Sequence, residues 1–349
     1  LGNKLVTTPS SIIEGLLKPE SYPHRPPEIQ LVQTQMSFVF LTGEYVYKVK
    51  KPVNLGYLDY TTLEKRRFFC QQELDLNRRL CPEVYLAVVP ITMSLHPPSV
   101  IASAAKQSLV IEGKGKAIEY AVKMRQLPQH RMMDVLLRGN QVTSEMVTRV
   151  AEKLAHFHQK AETNSKIAAF GKLDVIRQNT DENFSQTEKY IDVSIPRLKY
   201  NRLKKYTEDF IHNNSVLFAK RVKEGRVRDC HGDLHAAHIC FTDDICIYDC
   251  IEFNDRFRYS DVASEIAFLA MDLDRYHHSD LSRHLVNAYV ELSHDEELLK
   301  LLNFYKCYRA YVRGKVEGFK LDDPYISEEG KAKALATARS YFELAESYL

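Results

Sequence analysis

The chain has 349 residues, 44% of them hydrophobic and 27% charged, with a formal net charge of +2. That balance excludes a disordered polymer and gives no global electrostatic footprint for nucleic acid or an anionic membrane. The length exceeds what one compact core holds and points to two lobes, and no stretch approaches the ~20 apolar residues that span a bilayer.

Residues 1–28 lack the basic-then-apolar plan of a secretory signal, and a first residue other than Met is expected of a trimmed chain. From 28 to 52, alternating apolar residues predict two antiparallel strands, "SFVFL" and "YVYKV", with "TGE" as the turn between them. A helix follows in 59–82. Thr61 or Thr62 is its cap, Leu63, Phe69, Leu74, Leu76 and Leu80 form its apolar face, and Pro82 lies beyond its end. More strand is expected in "EVYLAVVPITM", "SLVIE" and "IEYAVKMRQL", with residues 94–108 as a loop insertion. After "LPQHR" the pattern turns helical. Thr143 or Ser144 caps a helix that carries Val147, Val150, Leu154 and Phe157 on one face, where His156 and His158 read as packing or polar contacts. Further helices run through "DENFSQTEKYID" and through 202–225, with Gly225 as a stop. Two short strand-like runs, "HIC" and "ICIYD", interrupt this region, and helices resume from "DVASEIAFLAMDLD".

The order predicts an α+β architecture: a strand-rich N-terminal lobe with one helix over 1–125, and a mainly helical lobe over 126–349. Basic runs such as "EKRR" and "RLKKY" read as solvated helix faces. The seven cysteines are odd in number, show no CxxC spacing and mostly lie in apolar runs, so reduced, buried thiols in a cytoplasmic protein are expected.

The stretch "HGDLH", residues 231–235, has three readings: a metal cage, a phosphoryl-transfer loop or a polar turn. On a helix, His231, His235 and His238 would share one face. Gly232 and the bordering strand-like runs argue against a helix, no HExxH occurs, and no cysteine spacing completes a zinc site. A metallophosphoesterase would need upstream DxH and downstream GNH motifs, which are absent. The phosphoryl-transfer reading fits the spacing better. Asp233 is followed five residues on by a polar ligand, His238, and after 11 more by Asp249 at the end of an apolar run. Phosphoryl transfer uses one Asp to accept the acceptor's hydroxyl proton and a second to hold magnesium against the phosphates.

"HGDLHAAHI…IYDCIEF" resembles the aminoglycoside phosphotransferase-like branch of the protein-kinase-like fold, and "LAHFH", "DCIEFN" and "DVASEIAFLAMDLD" extend the resemblance over most of residues 30–275. It implies a bilobal kinase-like fold whose lobes meet near residue 126, and transfer of the γ-phosphoryl of ATP or GTP, with Mg²⁺, to a hydroxyl of a small molecule. It places Asp233 as catalytic base, His231 as the residue bracing its loop, Asp249 as magnesium ligand and His238 at the second ligand position, where the family has Asn. It places Lys48 on the α- and β-phosphates, with Lys50 a rival on the same strand face, and Glu73 as the partner of that lysine, with Glu64 the competing choice. Asp261 falls on the helix-start Asp that braces the loop from below. Met124 to Leu127 fall on the hinge that offers backbone groups to adenine.

No GxGxxG loop is present, and "QTQMS" occupies the first hairpin, with Ser37 the candidate phosphate-covering hydroxyl. No P-loop and no GxSxG occurs either. Glu252, Glu265, Asp272 and Asp274 would suit a cationic or polyhydroxyl acceptor such as an amino sugar, or stand as ordinary exposed helix residues. A protein acceptor is disfavoured because HRD, DFG and APE segments are missing. No nucleic-acid or membrane partner is expected. His238 motivates the alternative of a nucleotide-binding scaffold with weak or no catalysis, since magnesium prefers oxygen ligands.

Overall fold

The computed structural model describes residues 8–96, 106–324 and 326–349, so the loop expected over 94–108 lies largely outside the described residues. The chain divides into two compact units, Leu1–Gln129 with Cys246–Asn254, and His130–Ile245 with Asp255–Leu349. Among the described residues no helix is long and apolar enough to cross a membrane.

The first unit opens with helix α1 (Pro9–Leu16) and is built on a six-stranded antiparallel sheet. Its strands are β1 (Gln30–Gln33), β2 (Ser37–Leu41), β3 (Tyr45–Lys50), β4 (Tyr85–His96), β5 (Lys106–Ile111) and β6 (Ala117–Arg125), in the order β1-β2-β3-β6-β4-β5. Helix α2 (Leu63–Asn77) connects β3 to β4. The β2–β3 turn falls at "TGE": Thr42 N–H donates to the Tyr45 carbonyl, and Gly43 has a φ of +87°, a conformation that glycine adopts without a Cβ clash. Sequence patterning predicts two strands here; the structure adds β1, whose pattern is mostly exposed and so carries little apolar alternation.

Period-two alternation decides which face each residue serves. Phe38, Phe40, Tyr47 and Val49 enter a core with Ile12, Leu16, Ile91, Leu109 and Ile111. Lys48 and Lys50 therefore point to the opposite face. Helix α2 is capped by Thr62, whose side chain accepts from Lys65 N–H, but its buried stripe differs from the expected one. Arg66, Cys70, Glu73, Leu74 and Asn77 are buried, whereas Leu63, Phe69 and Leu76 are only partly covered and Phe68 is 57% exposed. The helix turns a polar seam inward because each polar group finds a partner: Arg66 Nε donates to Glu119 at 2.8 Å, Glu73 meets the lysines of β3, and Asn77 Oδ1 accepts from Cys250 N–H at 2.8 Å. The returning segment also brings Cys246 against Cys81, just past α2. Their Cα atoms are 4.8 Å apart and a disulfide joins them, which corrects the expectation of reduced cysteines; the other five are buried thiols.

The second unit is mainly helical. It contains α3 (Met133–Arg138), α4 (Ser144–Lys160), α5 (Ser165–Ala168), α6 (Leu173–Thr187), α7 (Arg197–Asn213) and α8 (Ser215–Lys223). Strand β7 (Val227–Asp229) leads into the HGD loop, and two short strands, β8 (Ile239–Phe241) and β9 (Ile245–Ile247), follow it. Within β9 the chain passes to the first unit, and on return it forms α9 (Asp255–Arg258) and β10 (Tyr259–Asp261). Helices α10 (Val262–Arg275), α11 (Ser279–Ser293), α12 (Leu298–Phe319) and α13 (Glu328–Glu346) complete it. Thr143 caps α4, and Val147, Val150, Leu154 and Phe157 are buried along it as expected. Strands β7 and β10 pair antiparallel, so β10 delivers the start of α10 beside the HGD loop. Every residue of α10 from Val262 to Leu273 is buried, which makes it the central helix of this unit.

Candidate active site

In the first unit, Lys48 Nζ lies 2.8 Å from Glu73 Oε1 and 2.6 Å from Asp249 Oδ1. The rival lysine also uses Glu73: Lys50 Nζ is 2.7 Å from Oε2 and pairs with Glu252, whose Oε1 accepts from Tyr60 Oη at 2.6 Å. Glu73 thus bridges both lysines, while Glu64 is exposed in the first turn of α2 and serves neither. The lysines differ in access. Lys50 is 2% exposed and locked among carboxylates, whereas Lys48 shares its charge with Asp249, whose side chain is 39% exposed. Burial works to discharge Lys48, but Asp249 and Glu73 outweigh it and hold the ammonium well above the ordinary lysine range. Burial pushes the Glu73 carboxyl up, and Lys48 and Lys50 bring it below its usual range.

Asp249 has a φ of +62°, unusual for a residue other than glycine. Its N–H donates to Tyr85 Oη at 3.2 Å, and the next N–H, of Cys250, is held by Asn77. The turn that aims this carboxylate is therefore fixed from β4 and α2.

In the second unit, the HGD loop hangs on Glu265 of α10. His231 N–H donates to both carboxylate oxygens at 2.9 Å and Gly232 N–H to Oε1 at 2.7 Å. His158 Nε2 binds Oε2 at 2.8 Å, and its Nδ1 meets Tyr289 Oη at 2.8 Å. Burial raises the Glu265 carboxyl, but His158 and the loop amides overcome it and bring it down to about 2. Gly232, at φ +89°, allows the sharp turn, and Arg309 closes it by donating to the Gly232 carbonyl at 3.2 Å. His231 is fully buried, and its Nδ1 accepts from Asp233 N–H at 3.3 Å. Asp233 emerges from this frame with 32% of its side chain exposed. Its surroundings oppose its charge, but His235, His238 and Arg313 hold the carboxyl well below the usual range.

Three sequence expectations need correction. Asp261 does not brace the loop: its carboxylate accepts from Arg221 at 2.8 and 2.6 Å and caps α10 through Ala263 N–H, and the brace is Glu265, one turn further on. Ser37 is 1% exposed at the start of β2, and the hydroxyl at the exposed β1–β2 turn is that of Thr34, which accepts from Ser37 N–H at 2.9 Å. The four acidic residues, open in the sequence between an acceptor role and an exposed helix surface, are engaged within the protein. Glu252 holds Lys50, Glu265 holds the loop, Asp272 accepts from Ala236 N–H at 2.9 Å, and Asp274 pairs with Lys306 at 2.9 Å and Tyr348 at 2.6 Å. Of the hinge residues, Met124 is buried within β6, while Leu127 lies past the last strand, near the end of this part of the first unit at Gln129.

No family model matches the chain. Uncharacterized proteins of Mycobacterium tuberculosis and Mycobacterium bovis are 32% identical to it over 324 residues, 93% of this chain and 60% of theirs, so the chain spans 60% of the length of these curated relatives. Solved structures similar to it include a Plasmodium vivax ethanolamine kinase (12% identity, 91% of this chain and 81% of that one, TM-score 0.46). A choline/ethanolamine kinase family protein from Mesorhizobium loti (11%, 93% and 94%, 0.47) is another. A third is an amicoumacin kinase in complex with AMP-PNP, Ca²⁺ and Ami (10%, 96% and 92%, 0.49).

Proposed function

We propose that the chain is a kinase-like phosphotransferase that moves the γ-phosphoryl of ATP or GTP to a hydroxyl of a small molecule, as the resemblance to the aminoglycoside phosphotransferase-like family implies. The observation that carries the reading is the Lys48–Glu73 pair, its carboxylate fully buried, with Asp249 on the same ammonium. A strand lysine held by a helix glutamate beside an acidic ligand is the apparatus that phosphoryl transfer needs to neutralise phosphate charge.

In this reading the first unit grips the nucleotide. Lys48, kept protonated by its two carboxylates, exchanges its contact with Asp249 for phosphate oxygens, and Glu73 keeps its stem in place. The donor set fits a hard cation: Asp249 offers carboxylate oxygen on a rigidly held turn, which suits Mg²⁺, whereas the imidazole of His238 does not. Bound Mg²⁺ would supply positive charge to the phosphates. The second unit supplies Asp233, which orients the acceptor hydroxyl and takes its proton. His231, Glu265 and Arg309 keep the loop in its conformation. Positioning and electrostatics provide most of the acceleration in such a mechanism.

A nucleotide-binding scaffold is the second reading, favoured by His238 at a position where an oxygen ligand is expected. An ATP- and GTP-consumption assay over sugars, amino sugars and amino alcohols, with Asp233→Asn alongside, separates the two. Acceptor-dependent turnover that Asp233→Asn abolishes supports the enzyme. Nucleotide binding without turnover on any acceptor supports the scaffold.

A further inference from the structure

The HGD loop continues into two histidines, His235 and His238, that stand beside Asp233 and that the phosphoryl-transfer reading leaves unused. We infer that Asp233, His235 and His238 form a binding site for a divalent transition-metal ion, with Zn²⁺ and Co²⁺ as its chemical type. One ligand atom from each of the three lies within 4.8 Å of the others. Asp233 Oδ2 is 3.6 Å from His235 Nε2. That is too long for a hydrogen bond. It matches the spacing of ligands around one ion, since atoms held about 2.0–2.2 Å from zinc lie roughly 3–4 Å from each other.

The backbone explains why these residues converge without an α-helix. Residues 236–238 form a single 3-10 turn, closed by His238 N–H donating to the His235 carbonyl at 2.9 Å. Side chains three apart eclipse in such a turn, and the two imidazole centroids are 4.0 Å apart. Asp272 anchors the turn from α10 through Ala236 N–H. A bond from His238 Nδ1 to the Asp233 carbonyl at 2.9 Å orients that ring and puts the lone pair on Nε2, the outer-contact arrangement common to ligating histidines.

Two nitrogens and one carboxylate oxygen select the ion. Imidazole favours zinc, cobalt, nickel and copper over magnesium, which takes oxygen. His235 and His238 are 10% and 14% exposed and Asp233 32%, so the group is open on one side, as in zinc sites that keep a coordination position for water or a ligand. His231 is not part of it, being buried and committed to Asp233 N–H. The site stands on the second unit alone and does not depend on nucleotide chemistry in the first.

The test uses the full chain, stripped with EDTA and titrated with Co²⁺ by visible absorption and with Zn²⁺ by calorimetry, in the presence of excess Mg²⁺. The expected result is one equivalent bound, d–d bands typical of nitrogen and oxygen ligands, and affinity at least ~10-fold weaker in His235→Ala and in the near-isosteric Asp233→Asn, both checked for native circular dichroism. Thiolate-to-cobalt charge-transfer bands would overturn the inference, because cysteines would then hold the ion. Absence of binding, or unchanged affinity in both variants, would overturn it as well. The Co²⁺ and Zn²⁺ titrations contain neither nucleotide nor acceptor, and the nucleotide-consumption assay contains no transition metal, so the two readings fail separately.

Discussion

Lys48 Nζ lies 2.6 Å from Asp249 Oδ1, although 201 positions separate the two residues. The contact exists because residues 246–254 return to the sheet that carries Lys48. A cation and an anion so joined are each other's placeholder: a phosphate group would draw off the lysine and a metal ion the aspartate. Lys48→Ala should therefore lower kcat/KM by roughly 10²–10³-fold, the range seen when one group stabilising transition-state charge is removed. Its unfolding midpoint should change little, since Asp249 is partly solvated and the buried Glu73 keeps Lys50. Steady-state kinetics and urea unfolding on the same preparation check both halves.

Lys50 should behave in the opposite way. It is buried between Glu73 and Glu252, so Lys50→Met leaves Glu252 without its buried cation and Glu73 with Lys48 alone, and should cost about 3–5 kcal/mol of stability. Denaturant titration measures this. A variant as stable as the parent would contradict the bridging role given to Glu73.

Glu265 predicts an acid limb. Its carboxyl is lowered from 4.5 to about 2 in the folded chain. A depressed folded pKa contributes stability that is fully present above the unfolded value and is lost as pH falls through the folded value. The shift corresponds to about 3 kcal/mol, lost between pH ~4.5 and ~2. Glu265→Gln should be less stable at neutral pH and should show a shallower loss of stability across that window. It should also lower kcat more than it raises KM, because it loosens the Asp233 loop without touching substrate. Identical acid profiles for parent and variant would count against the brace.

The Cys81–Cys246 disulfide closes a separation of 165 residues, and cross-links over such loops contribute about 4–5 kcal/mol in the chain-entropy account. Thiol titration in denaturant should find five reactive groups before reduction and seven after. Cys246→Ser should lower the unfolding midpoint relative to the oxidised parent.

Much of this could be read from patterns that act locally. The alternation of "SFVFL" and "YVYKV" placed the β2–β3 hairpin and put both lysines on one face, and the apolar stripe of α4 named its buried residues. The spacing from Asp233 to Asp249 pointed to the loop and the strand end. Features that depend on distant partners were less visible. Apolar periodicity misjudged α2, because its buried seam is Arg66, Glu73 and Asn77, each satisfied from another element. Choosing between Lys48 and Lys50 was not possible from sequence, since Glu73 takes both. Cys246 reaches Cys81 only through the returning segment. Glu265 did leave a signal: a lone carboxylate inside "EIAFLA" has to be buried with the helix and must find donors. Asp261 drew the bracing role because it starts the helix, but Arg221 claims it.

The most direct measurement is calorimetric titration of ATP and of GTP, with and without Mg²⁺, into the parent chain and Asp249→Asn. The account predicts binding that requires the divalent ion in the parent and is at least ~10-fold weaker in the variant. Binding that ignores both Mg²⁺ and the loss of the Asp249 charge, or no binding to the parent at all, would contradict it.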